Sequence, residues 1–146
     1  MKPILVIFFL AFALVDCNNP ATEEHANAQD GSHPGEELQP VSYTLYSGKS
    51  ELFVEFKPLV AGSTSKFAAH LTKLGETFLP YTEGTVTVSL LQGNMGIKNT
   101  ASAPSSPGIF RLALQPAQAG MGKLVFDIQT KEFTDQFIID SIEVYA

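Results

Sequence analysis

Residues 84–91 read GTVTVSLL, and this stretch decides the fold class. Val86, Val88 and Leu90 alternate with Thr85, Thr87 and Ser89, a strict period of two. Successive side chains of a β-strand point to opposite faces, so such a segment has one apolar face and one wet face.

The same alternation recurs on both sides of it. In ELFVEFK (51–57), Leu52, Val54 and Phe56 lie opposite Glu51, Glu55 and Lys57. IFRLALQ (109–115) sets Phe110, Leu112 and Leu114 against Arg111 and Ala113, and KLVFDIQ (123–129) has Leu124, Phe126 and Ile128 as its inward set. VSYTLYS (41–47) and QFIIDSIEVYA (136–146) are strand-like in their β-branched and aromatic content. The second slips phase near Asp140 and Ser141, as a bulge would make it do. Gly93-Asn94 reads as a hairpin turn, and SGKS (47–50), KPLVAGSTS (57–65) and APSSPG (103–108) read as loops. SKFAAHLTKLGE (65–76) fits a helical stripe through Phe67, Leu71 and Leu74, and it also alternates through Phe67, Ala69 and Leu71. Strands flank it on both sides, so residues 66–73 are expected to be a strand. Strands spaced in this way predict an all-β, antiparallel sandwich of about seven or eight strands over residues 41–146.

Composition agrees with a single domain. The chain has 146 residues, 45% apolar and 16% charged, with one cysteine, so no internal disulfide can form. The net charge is −6, which argues against nucleic acid as a partner, since that needs a clustered basic patch. The acidity is local. Residues 17–40 contain Glu23, Glu24, Asp30, Glu36 and Glu37 and no Lys or Arg, whereas residues 41–146 carry eight basic and nine acidic side chains.

The start of the chain is different in kind. Residues 1–16 read MKPILVIFFLAFALVD, with Lys2 ahead of an unbroken apolar run over residues 4–15. That is the length of a signal-peptide core and too short for a bilayer span, which needs about 20 residues. Cys17 follows directly, and the arrangement resembles the lipobox of bacterial lipoproteins, in which the cysteine becomes the lipidated first residue of the mature chain. Leu14 and Val15 suit that pattern; Asp16 stands where a small residue is usual. An ordinary signal peptide is the competing reading. Either one implies export, and lipidation implies a periplasmic protein held to a membrane through Cys17. Residues 17–40 are poor in strong hydrophobes and read as a disordered acidic tether with a reach of roughly 25–30 Å.

Little in the remainder points to catalysis. No GxSxG, HExxH, CxxC or phosphate-cradling glycine motif is present. Glu51 and Glu55 share a strand face but sit about 13 Å apart, far for a working carboxylate pair. The chain reads as non-catalytic. A metal site is the better chemical candidate: His70, Met95 and Met121 are borderline or soft ligands suited to copper, with zinc the other candidate, and His25 and His33 in the tether are possible further donors. No ligand motif spaces these residues, and the plainer reading is a strand histidine at His70, loop methionines at Met95 and Met121, and solvated polar residues at His25 and His33.

Several runs carry a resemblance. YTLYSGKSELFVEFKPLVAG (43–62), KFAAHLT (66–72), LTKLGETFLPYTEGTVTVSLL (71–91) and APSSPGIFRLALQPAQAGMGKLVFDIQT (103–130) are similar to the N-terminal domain of periplasmic adaptor (membrane fusion) subunits of heavy-metal RND efflux systems of Bacteroidetes type. The resemblance implies an immunoglobulin-like β-sandwich and a place beside RND pump or adaptor components. It further implies a truncated adaptor or a free-standing copy of its first domain, because full adaptors continue into lipoyl-like, helical-hairpin and barrel domains. Family members often carry many histidines after the lipobox; here there are His25 and His33. The alternative expectation is a free-standing periplasmic metal carrier.

Overall fold

The structure, a computed structural model, describes residues 38–146. TVTVSLL lies in β6 (Thr85–Gln92), an interior strand of its sheet, with Val86, Val88 and Leu90 all but fully buried. Nine other strands accompany it: β1 (Val41–Tyr46), β2 (Ser50–Phe56), β3 (Leu59–Val60), β4 (Ser65–Lys73), β5 (Leu79–Pro80), β7 (Met95–Ala101), β8 (Ile109–Leu114), β9 (Gly120–Gln129) and β10 (Thr134–Tyr145). The described residues contain no helix. Eight of the ten strands have six residues or more, as the spacing predicts; β3 and β5 have two each.

The strands form two sheets. In the first, β1 pairs with β2 and β2 with β4, and the far edge of β4 is shared by β8 and β5. The second runs β3-β10-β9-β6-β7. All pairings are antiparallel except β3 with β10. Taking β2, β4 and β8 as strands A, B and E, and β6, β7, β9 and β10 as C, C′, F and G, this is an immunoglobulin-like arrangement.

Pro58 explains how the chain passes between the sheets. It has no N–H to give to a ladder, so β2 ends at Phe56 and the chain resumes in the other sheet as β3. KPLVAGSTS is therefore not wholly a loop, and a strand of two residues has no period by which to announce itself.

The ambiguous segment is β4. Phe67, Ala69 and Leu71 are buried and Lys66 is exposed, the strand alternation rather than the helical stripe. The phase slip is also present: β10 shifts register between Ile139 and Ile142, and Ser141 has φ 58°. This bulge lets Phe137, Ile139, Ile142 and Val144 all face inward. The Gly93-Asn94 turn joins β6 to β7 in two residues, with Gly93 at φ 58°, where glycine costs nothing.

Apolar faces of both sheets meet in one core. Phe56 stacks on Phe67 at 4.6 Å between ring centroids, and Phe67 meets Phe126 of the opposite sheet edge-on at 6.2 Å. Burying each such side chain contributes about 1.5–3 kcal/mol. Two polar side chains, Ser50 and Ser65, are buried with it. Ser50 Oγ bonds Tyr81 Oη at 2.7 Å, and Ser65 Oγ donates to the Lys57 carbonyl.

Candidate functional site

Met95 opens β7 directly after the Gly93-Asn94 turn, and Met121 is the second residue of β9. β6 lies between these two strands, so both methionines come to the same end of the second sheet. They line one broad, open hollow of about 650 Å³ together with Lys123, Asp140 and Ser141. Both side chains are exposed.

Two features shape this hollow. A Cβ on Gly122 would lie 2.8 Å from the Leu91 carbonyl oxygen, so only glycine lets β9 approach β6 this closely. Gln92 Nε2 donates to the carbonyls of Gln118 and Gly120 at 3.3 and 3.4 Å, holding the turn that delivers Met121. Gln118 Nε2 lies 4.0 Å from Met95 Sδ. The donors gathered here are two thioethers and the Asp140 carboxylate, a set that favours a soft, low-charge metal ion over a hard one.

His70 is elsewhere. It sits at the centre of β4, on the outer face of the first sheet, with the Phe53 ring edge-on at 5.6 Å. It does not line the methionine hollow. The strand phase that buries Ala69 and Leu71 turns His70 outward, and β4 belongs to the other sheet. Among the described residues no group of three or more His, Cys, Asp or Glu side chains gathers as a metal site. Cys17, His25 and His33 lie outside the described residues.

Glu51 and Glu55 face outward from β2 as their spacing requires. Glu51 stands directly across from Tyr46 and accepts a hydrogen bond from its hydroxyl, which raises that hydroxyl above the ordinary tyrosine pKa of 10.0. Glu55 lines a groove with Lys66, Arg111 and Asn99.

A polar cluster at the opposite end of β9 has no counterpart in the sequence reading. Ser47 Oγ accepts the backbone N–H groups of Lys49 and Ser50 at 3.1 and 2.9 Å and donates to Asp135 Oδ2 at 2.5 Å. This ties the β1–β2 turn of one sheet to the start of β10 in the other. Lys49 lies over the Phe133 ring at 4.7 Å, and Lys73 over the Tyr81 ring at 5.4 Å. Burial, followed by the charges of Asp135 and Glu132, pushes the Tyr81 hydroxyl above the ordinary value, and its bond to Ser50 offsets part of that rise. Ser47 Oγ accepts within the turn and donates across to Asp135, so the cluster acts as a clasp between the sheets. Tyr81 is 1% exposed and belongs to the core.

No family model, curated protein or solved structure matches this chain.

Proposed function

We propose that residues 41–146 are a non-catalytic recognition module of a periplasmic efflux adaptor of the heavy-metal RND type, carried outside the cytoplasm on an acidic tether anchored at Cys17. The observation that supports this reading most is the match between the resemblance and the fold. The similar runs, residues 43–62, 66–91 and 103–130, take in all or most of β1 to β6, β8 and β9 but not β7, and the immunoglobulin-like sandwich that the resemblance implies is of the fold class observed. Envelope cross-linking followed by affinity purification of the tagged full chain tests it. Recovery of RND pump or adaptor subunits is expected; recovery of none counts against the module.

One observation favours a second reading, a metal-carrying protein: Met95 and Met121 share a hollow with Asp140. Titration calorimetry with Cu(I), Cu(II) and Zn(II) separates the two. A carrier binds Cu(I) more tightly than about 100 μM and loses that binding in the Met95→Leu, Met121→Leu double variant. Binding weaker than that removes this reading and leaves the module intact.

A further inference from the structure

The outer side of β1 is an unprotected sheet edge. β1 hydrogen-bonds to β2 and, among the described residues, to no strand on its other side. Exposed edges are normally blunted by charge, proline, a bulge or shortness, because their free N–H and C=O groups template further pairing. The other edges of this protein carry such devices. β3 is two residues long and follows Pro58; β5 is two residues long and ends in Pro80. β7 carries Lys98, and its Asn99 Oδ1 accepts the Ala113 N–H of β8 at 3.1 Å, covering the edge. β1, with the sequence VSYTLY, has six residues, no charge, no proline and an unbroken register.

The pairing pattern shows which groups are free. The Ser47 N–H donates to the Ser50 carbonyl at 2.8 Å, so that pair is of the hydrogen-bonded type. Bonded and non-bonded pairs alternate in an antiparallel ladder. Leu45–Leu52, Tyr43–Val54 and Val41–Phe56 are then the bonded pairs, and Ser42, Thr44 and Tyr46 direct their N–H and C=O groups away from the sheet.

We propose that this edge is a self-association site, occupied by β1 of a second copy of this chain running antiparallel about Thr44. That register pairs Thr44 with its own counterpart and Ser42 with Tyr46 of the second copy, twice by symmetry. All three outward positions of each strand are satisfied, in about six backbone hydrogen bonds. The two Thr44 side chains meet on the two-fold axis, and cross-strand threonines already bond in this fold, Thr87 Oγ1 to Thr100 Oγ1 at 2.8 Å. On the other face Tyr43 lies opposite Leu45 of the second copy. Both are half-buried side chains packed against an otherwise closed core, and pairing covers them.

Charge favours this occupant. β1 has no charged side chain with which to select a charged strand, and an uncharged strand pairs with its own copy without like charges facing each other. Residues 41–146, with eight basic and nine acidic side chains, present little net charge to keep two copies apart.

Sedimentation velocity on the full chain over a dilution series tests the proposal. A reversible monomer–dimer equilibrium is expected, and Thr44→Lys, which puts two like charges on the axis, weakens it by about tenfold or more. Thr44→Pro removes an outward N–H that β2 does not use and does the same; Ser42→Lys is the third probe, for the case in which the proline variant fails to fold. Far-ultraviolet circular dichroism shows which variants keep the sandwich. A chain that stays monomeric throughout, or a dimer indifferent to the folded β1 variants, overturns the proposal. So does a monomer that binds an unrelated extended peptide at this edge.

Discussion

At the scale of single residues, the buried hydroxyl pair makes the sharpest prediction. Tyr81→Phe removes the partner of Ser50 Oγ, which is fully buried, and an unpaired buried hydroxyl costs about 1–3 kcal/mol. The pH dependence has a definite sign. The Tyr81 hydroxyl is raised above 10.0 by burial in the folded state, so its contribution is constant below the unfolded pKa and is lost as pH rises through the folded one. Stability from this group is therefore flat through neutral pH and falls above about pH 10, and the Tyr81→Phe variant lacks that part of the fall. Denaturant unfolding of both proteins from neutral to alkaline pH checks this. Ser141 gives the opposite effect: it is the one non-glycine residue at positive φ among those described, so Ser141→Gly is expected to raise stability by about 0.5–1 kcal/mol in the same assay.

At the scale of elements, β2, β6 and β8 were legible because each buries one face and leaves the other at least partly wet, so period two is written in side-chain type; β9 was legible through Leu124, Phe126 and Ile128, although Val125 between them is buried too. β4 needed its neighbours, since its alanines and leucines suit a helix as well. β3 and β5 were not legible, because two residues have no period, and which strands pair is a long-range fact that no local run encodes. The clasp was hidden for the same reason: Ser47 and Asp135 are 88 positions apart, and Ser50 and Tyr81 are 31. Packing sets two expectations at this level. Phe126→Ala, which removes the ring spanning the sheets beside Phe67, costs about 3–5 kcal/mol. Gly122→Ala pushes a methyl against the Leu91 carbonyl and costs about 1–3 kcal/mol by prising β9 from β6. Thermal or denaturant midpoints measure both, and an unchanged midpoint in either contradicts the close packing described.

At the scale of the whole molecule, the site candidates divide by sheet. Met95 and Met121 both sit beside turns, and antiparallel topology returns both turns to one end of the second sheet, so their meeting follows from the strand order. His70 is separated from them by the same topology, in the middle of a strand of the other sheet. The functional reading therefore rests on the sandwich as a recognition surface, with the methionine hollow as one feature of it. The most direct measurement is the affinity of the purified full chain for a purified heavy-metal RND adaptor or pump, with the Met95→Leu, Met121→Leu double variant in parallel. Saturable binding at micromolar concentration or tighter, unchanged in the double variant, is predicted; no saturable binding by the folded protein to either component would contradict the proposed role.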